Sequence, residues 1–207
     1  MITVIDSGIC NLASVTTALD RIGAPWTLGN TPMEIGDAQA LILPGVGAFA
    51  EGMNSLHQRD LVEPIRAHAA STRPILGICL GMHMLADHSE EFGNHEGLGL
   101  ISSKVCRLPA DQELRLPNIG WCDVRYSSCA SLFKGLPQPS CFYFAHSYCL
   151  ECTDSGDSVA TIRWSNTDRT VAVRKGNVYG VQFHPELSQD SGLTVLANFC
   201  NHIGELK

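Results

Sequence analysis

The segment Gly77-Ile78-Cys79-Leu80-Gly81 is the feature of this sequence that most constrains its fold. It follows directly on the apolar run Pro74-Ile75-Leu76. A glycine on each side of a potential nucleophile, between a strand and a helix, is the pattern of a sharp strand–turn–helix elbow, in which only small neighbours fit. The helix dipole and free backbone N–H groups at such a position favour the thiolate, which is the reactive form of cysteine.

The first half of the chain alternates between strand and helix patterns. Such alternation implies a parallel sheet with helices on both faces, whose ligands bind beyond the carboxyl ends of the strands. Cys79 and the turn at residues 44–47 would lie at that edge. The predicted elements are strands at residues 2–6, 40–43 and 75–78, a helix between a capping Asn11 and a terminating Gly23, and a helix at residues 61–70.

The second half changes to successive strand patterns separated by turn residues. A closing helix at residues 191–203 would pack Leu193, Leu196, Phe199 and Ile203. No repeat or linker splits the chain, so the sequence predicts one α/β domain over residues 1–207. It would have a mostly parallel central sheet, flanking helices, a nucleophile elbow and antiparallel strands in the C-terminal half. The strands predicted here cover residues 105–108, 120–126, 141–150, 159–164, 170–175 and 178–183.

Composition argues against several classes of function. A net charge of −7 without a basic stripe disfavours nucleic acid as the main partner. No apolar run approaches the roughly 20 residues of a membrane span, and the N-terminus lacks the basic start of a signal peptide. Nine cysteines at irregular spacings form no evident disulfide framework, so we expect free thiols in a reducing compartment and a cytoplasmic protein.

The segment Cys149-Leu150-Glu151-Cys152, with His146 three residues before it, is a candidate metal or redox motif. It lacks the second Cys-x-x-Cys pair that would complete a tetrahedral zinc site. Its strand-like alternation would also send the two cysteines to opposite faces. We therefore expect free thiols at this segment, and neither a metal nor a cofactor.

A cysteine nucleophile needs a base, and His146 and His184 each end an apolar strand pattern. His184 is favoured because Glu186 lies two residues on, and positions i and i+2 of an extended segment point to the same side. A carboxylate there would orient the imidazole and stabilise its charged form, as the third member of a triad does. Five other histidines are expected at the solvated surface: His57, His68, His88, His95 and His202.

Oxyanion stabilisation is the remaining requirement of such a site. The backbone N–H of Leu80, directly after the nucleophile, is one natural donor. The glycine-rich turn that contains Val46 and Gly47 could supply a second, because glycine lets a peptide approach or rotate at low steric cost.

Six segments carry a resemblance to a known family, at residues 43–49, 76–82, 96–100, 120–121, 143–148 and 179–186. Through them the chain resembles the class I, triad-type glutamine amidotransferases, almost from end to end. Within that family it is most similar to the glutaminase subunits of imidazole glycerol phosphate synthase, from histidine biosynthesis.

The resemblance implies that Cys79 attacks the carboxamide of glutamine, that His184 protonates the departing ammonia, and that water hydrolyses the glutamyl thioester. Positions expected to hold the substrate are Gly47, His83, Glu91, Ser147 and Tyr148. The ammonia would pass to a separate barrel-shaped cyclase/synthase subunit in a heterodimer, which forms imidazole glycerol phosphate and an aminoimidazole carboxamide ribotide. The resemblance also implies a glutaminase nearly silent alone, whose turn near Val46 rearranges when partner and ligand bind.

The sequence departs from the family at several positions. His83 stands where glutamine is usual, which predicts weaker or more pH-dependent binding of glutamine. Leu187 replaces a common basic residue that helps grip the synthase. Asn118 and Cys122 replace the usual histidine and asparagine, and Cys10 is also unusual.

Two other functions compete with this interpretation. A paralogous glutaminase could feed ammonia to a synthase that amidates bacterial surface sugars, which the altered partner-facing positions leave open. A Cys-His hydrolase or peptidase of related fold could work without a partner. An idle regulatory subunit is disfavoured by the intact Cys79, His184 and Glu186.

Overall fold

A computed structural model of the protein describes residues 1–110, 115–127 and 129–204, without the side chains of residues 203 and 204. The strands are β1 Ile2–Ile5, β2 Trp26–Gly29, β3 Ala40–Gly45, β4 Ile75–Cys79, β5 Ala86–Ser89, β6 His95–Glu96, β7 Ile101–Arg107, β8 Asn118–Tyr126, β9 Ser140–His146, β10 Tyr148–Cys152, β11 Ser158–Trp164, β12 Thr167–Lys175 and β13 Val178–Val181. The α-helices are α1 Leu12–Arg21, α2 Pro32–Asp37, α3 Phe49–Gln58, α4 Val62–Ala70, α5 Leu80–Met84 and α6 Gln189–Gly204.

Nine strands form one continuous sheet in the order β2-β1-β3-β4-β13-β12-β11-β8-β9. The five strands from β2 to β13 are parallel, and the pairs from β13 to β9 are antiparallel. The predicted α/β class, with antiparallel strands contributed by the C-terminal half, is confirmed. The nucleophile strand β4 therefore lies at the centre of the sheet, between β3 and β13.

Two hydrophobic cores cover the two faces of the parallel region. Along β3, Ile42 belongs to the core formed with α1 and α6, whereas Leu41 and Leu43 belong to the core formed with α2, α3 and α4. This alternation follows from the period of two in a strand. Because both faces are covered, β3 and β4 are buried over their whole length. The carboxyl edge is then the accessible part of these strands.

A smaller sheet, in the order β10-β7-β5-β6, lies beside the main one. The prediction of a single strand at residues 141–150 is wrong: β9 pairs with β8 in the large sheet, and β10 pairs with β7 in the small one. The chain changes sheets at Ser147, whose carbonyl accepts a hydrogen bond from the Leu108 N–H at 2.9 Å. This crossing brings two sheets to one site.

Local signals accounted for most boundaries. Asn11 caps α1 as predicted, and its side chain accepts from the Ser14 N–H. The closing helix begins at Gln189, and the predicted packing of Ile203 lies outside the described side chains. The helix expected after Cys79 is α5, whereas several elements were not predicted from the sequence: β2, α2, α3, β5 and β6.

The expectation that His68 is solvated is wrong. Its side chain on α4 is fully buried, and Nε2 lies 3.1 Å from the Pro74 carbonyl oxygen. Burial lowers the pKa of His68 to about 4, against the smaller opposing effect of that hydrogen bond. The sequence placed His68 in a helix, but it did not show that His68 lies on the buried side of that helix. Within the described ranges, no helix is long and apolar enough to cross a membrane.

Candidate active site

Cys79 occupies the elbow between β4 and α5. Its φ of 54° and ψ of −110° place an ordinary residue in a strained backbone conformation. The flanking glycines make the turn sterically feasible: a Cβ on Gly81 would stand 1.7 Å from the Leu43 carbonyl oxygen, and one on Gly77 would stand 2.6 Å from the Gly81 oxygen. The elbow geometry expected from the sequence is therefore present.

The elbow opens into a cavity of about 390 Å³ at the carboxyl edge of the sheet. It brings together residues from β4, α5, the turn after β3, and the crossing between β9 and β10. The sequence-predicted residues that line it are Val46, Gly47, Cys79, Leu80, His83, Glu91, Ser147, Tyr148 and His184. Glu186 does not line this cavity and lies behind His184.

His184 and Glu186 form a direct pair, with 2.8 Å between Nδ1 and Oε1 and side chains that are 9% and 4% exposed. The segment is not extended as the sequence argument assumed. Pro185–Leu187 form a short 3₁₀ turn, and the Leu187 N–H donates to the His184 carbonyl at 3.1 Å. Pro185, at the first position of the turn, has its φ fixed by its ring at a value that suits such a turn. The turn brings the side chains of His184 and Glu186 together.

The environment of His184 favours its imidazolium form. Burial alone lowers the pKa, but hydrogen bonds with Cys79 and Glu186, together with their negative charges, outweigh it and raise the pKa of His184 to about 10. The His184 imidazolium thus lies within hydrogen-bonding reach of the Cys79 sulfur. That arrangement supplies a nucleophile and a proton donor at the same time.

The second candidate base, His146, is held neutral. Its Nδ1 lies 2.8 Å from the Tyr148 carbonyl oxygen, and its Nε2 lies 3.0 Å from the Asn118 amide nitrogen. The carbonyl requires an N–H on Nδ1, so Nε2 accepts from Asn118. Burial lowers the pKa of His146 to about 4. His146 lines the cavity without being able to take a proton near neutral pH.

The turn after β3 is closed by a hydrogen bond from the Val46 N–H to the Ile9 carbonyl oxygen, at 3.0 Å. The next residue, Gly47, has a φ of 97°. In this conformation the Val46 N–H is engaged by the Ile9 carbonyl and is not free to bind another oxygen. The assignment of Val46 and Gly47 to an oxyanion site stays a prediction that requires the peptide to rotate, as the sequence analysis expected.

Residues 3–203 match the family model described as "Glutamine amidotransferase class-I". The chain is 42% identical over 205 residues to "Imidazole glycerol phosphate synthase subunit HisH" of Sulfurimonas denitrificans, with 98% of each chain covered. It is 44% identical over 198 residues to the protein of that name from Moorella thermoacetica, covering 96% of this chain and 93% of that one.

This chain belongs to the class-I glutamine amidotransferase family. A solved structure described as "Crystal structure of glutamine amidotransferase" superposes on it with a TM-score of 0.76 at 21% identity, covering 98% of each chain. At that identity the likeness concerns the fold, and it agrees with the sheet described above.

Two further residues beside the predicted site of this amidotransferase were not predicted from the sequence. Gln182 is fully buried, and its Nε2 lies 3.8 Å from Cys79 Sγ while its Oε1 lies 2.6 Å from His83 Nε2. Phe92 lines the cavity mouth, is 86% exposed, and packs edge-on against Tyr148 with ring centroids 6.4 Å apart. Gln182 directly precedes the Phe183-His184 pair, so its position in the motif was the available signal.

Glu91 is the buried carboxylate of the amidotransferase cavity. Its Oε2 accepts from the Phe49 N–H at the start of α3, at 2.7 Å, which fixes the side chain from behind. Ser147 and Tyr148 line the facing wall. Among the described residues, no cluster of three or more histidine, cysteine, aspartate or glutamate side chains is arranged to hold a metal ion.

Proposed function

We propose that this chain is the glutamine-hydrolysing subunit of an imidazole glycerol phosphate synthase in histidine biosynthesis. The observation that carries the proposal is its end-to-end identity of 42% with a curated subunit of that name. The site geometry supports it, because Cys79 and His184 line one cavity and Glu186 holds the His184 ring from behind. The catalytic domain extends over residues 1–207, and the family match over residues 3–203 supports this extent.

Acylation begins with attack of Cys79 Sγ on the carboxamide carbon of glutamine. The electron pair of the carbonyl moves to oxygen, and collapse of this tetrahedral species expels the nitrogen. His184 donates its Nε2 proton to that nitrogen, because Nδ1 is committed to Glu186 at 2.8 Å. Ammonia leaves, and a glutamyl thioester remains on Cys79.

Deacylation uses the same groups in the opposite sense. His184, now neutral, takes a proton from water, and the resulting hydroxide attacks the thioester. Cys79 departs as a thiolate, glutamate is released, and the imidazolium is restored. Glu186 stays ionised throughout and stabilises the charged imidazole.

The turn at Val46 limits the isolated subunit. Leu80 supplies one oxyanion donor, whereas the second requires the Val46 N–H to leave its bond with the Ile9 carbonyl. Loss of one such donor costs about 10²- to 10³-fold in kcat. The subunit is therefore slow by itself and accelerates when a partner and its ligand reorganise this turn.

The partner is the cyclase/synthase barrel subunit, and the cavity mouth is where it docks. Two apolar side chains that line the cavity are exposed, Val46 at 44% and Phe92 at 86%. Further exposed apolar side chains lie on β8 and on the turn after His184: Ile119 at 64%, Trp121 at 47% and Leu187 at 43%. Ammonia released at Cys79 then enters the partner directly.

The substrate contacts follow the cavity walls. Glu91 binds the α-amino group of glutamine through charge, while Gly47, Ser147 and Tyr148 hold its remaining polar atoms. All nine cysteines are unpaired, which supports a cytoplasmic location.

Glutamate release, measured with and without a cyclase subunit and its nucleotide substrate, tests the function. We expect little release from the isolated chain and stimulation of at least about 10²-fold in the mixture. Full activity of the isolated chain on peptides would instead indicate an independent hydrolase. Absence of stimulation by a cognate cyclase would favour a paralogue that serves another synthase.

The departure from the family at Asn118 gives less support to the paralogous glutaminase than the sequence suggested. Asn118 is not partner-facing: it is buried and hydrogen-bonded to His146. Cys122 is half-buried and donates to the Asn118 side-chain oxygen at 3.7 Å. Leu187 remains an exposed change at the proposed interface.

A further inference from the structure

Gln182 is fixed at both ends of its side chain inside the active site. The amide Nε2 lies 3.8 Å from Cys79 Sγ, and Oε1 lies 2.6 Å from His83 Nε2. Its backbone N–H donates to the Val171 carbonyl at 2.8 Å. Gln182 is fully buried and His83 is 5% exposed, so bulk water does not compete for these contacts.

The chemistry of the three groups sets the direction of each hydrogen bond. A thiolate can only accept, so the amide must present an N–H to Cys79. The amide oxygen can also only accept, so His83 must present an N–H on Nε2. Burial lowers the pKa of His83 to about 4, which leaves the ring neutral with a single N–H. The hydrogen bonds therefore run in one direction, with His83 donating to Gln182 and Gln182 donating to Cys79.

We propose that Gln182 donates a hydrogen bond to the Cys79 thiolate, and that His83 is a positioning residue that holds the Gln182 amide in the required orientation. Without the His83 donor, the amide could rotate by 180° and turn its oxygen toward the sulfur, which would disfavour the thiolate. This assignment rests on the proposed function, since it takes Cys79 as the nucleophile. It also gives His83 a role other than that of a glutamine ligand.

The other titratable groups around Cys79 do not supply this donor. His184 contacts the sulfur from the segment after β13 and is already protonated. His146, on β9, is neutral and bonded to Asn118 and Tyr148. Glu91 Oε2 accepts a hydrogen bond from the Phe49 N–H at 2.7 Å and so acts here as an acceptor. Gln182 is thus the neutral donor among these neighbours.

The test is the pH dependence of Cys79 alkylation by iodoacetamide in the isolated full-length chain, followed by mass spectrometry of the Cys79 peptide. Gln182→Met keeps the length of the side chain and removes the amide. His83→Phe keeps a ring and removes the donor. Each should move the midpoint of the alkylation profile upward by about one to two pH units, as expected for loss of one hydrogen bond to a charged acceptor.

His83→Gln is the matched control, because a glutamine amide nitrogen reaches about as far as the histidine Nε2 and can donate. It should leave the midpoint within about 0.3 pH units of the wild type, whereas His83→Phe should not. His83→Phe and His83→Gln both retain Gln182, so a comparison of their alkylation midpoints tests the proposal even if Gln182→Met fails to fold.

Unchanged alkylation midpoints in His83→Phe, with a raised KM for glutamine in the cyclase complex, would overturn the proposal and make His83 a substrate ligand. Alkylation reports on the thiolate alone. If the variants show the expected shifts in alkylation midpoint but the wild type releases no glutamate with any cyclase, the proposed function is contradicted instead.

Discussion

Gly81 packs its Cα against the Leu43 carbonyl so closely that a Cβ would stand 1.7 Å from the oxygen. This contact joins the first turn of α5 to β3, so that α5 begins beside Gly45 at the end of β3. The separation of the two proposed oxyanion donors, at Leu80 and Val46, therefore depends on Gly81.

Gly81→Ala should prevent stable folding or lower the free energy of unfolding by more than about 3 kcal/mol, because the obstacle is backbone and cannot move aside. The measurement is urea unfolding followed by circular dichroism. Gly36→Ala in α2 is the control, since its Cβ would meet nothing within 4 Å. It should be neutral or stabilise by up to about 1 kcal/mol. Equal stability of the two variants would contradict this account of the elbow.

The strained backbone of Cys79 predicts a difference between two inactive variants. At a φ of 54° and ψ of −110°, alanine is strained as cysteine is, whereas glycine adopts the conformation with little strain. Cys79→Gly should be more stable than Cys79→Ala by about 1 kcal/mol in denaturant unfolding. Both should release no glutamate and still bind the cyclase subunit. Retained glutamate production by either variant would show that Cys79 is not the nucleophile.

Glu186→Gln should lower kcat for glutamate release by about 10²- to 10⁴-fold in the cyclase complex, with little change in KM. The amide keeps the size of the side chain but removes the charge that helps hold the pKa of His184 at about 10. That pKa should fall toward its ordinary value, which NMR titration of the ring can follow. A variant with wild-type kcat would rule out a triad role for Glu186.

His68 predicts how stability responds to acid. Its pKa is about 4 in the folded protein and about 6.5 when unfolded, so the unfolded state binds the extra proton between these values. Its contribution is fully present above pH 6.5 and is lost as the pH falls toward 4. Between pH 7 and 5 the loss is about 2 kcal/mol.

His68→Gln isolates this effect, since the amide can still donate to the Pro74 carbonyl and does not titrate. The drop in unfolding free energy between pH 7 and 5 should be smaller in the variant by about 2 kcal/mol. His57→Gln, at an exposed position, should reproduce the wild-type drop. Identical pH dependence in wild type and His68→Gln would contradict the burial argument.

Short-range patterns in the sequence determined the central part of the fold. The elbow around Cys79 and the cap at Asn11 depend on residues within a few positions of each other, and local sterics and hydrogen bonding decide such features. The pairing of His184 with Glu186 was also predicted, although a 3₁₀ turn rather than an extended segment produces it.

The tertiary structure decided what depends on contacts between distant segments. The break at Ser147 arises because β9 and β10 pair with different strands, and no local pattern encodes a choice of partner. The neutral state of His146 follows from a contact with Asn118, 28 residues away, and the burial of His68 follows from the packing of α4 against α2. Gln182 meets His83 across 99 residues of chain, so only the folded sheet and helix could reveal that contact.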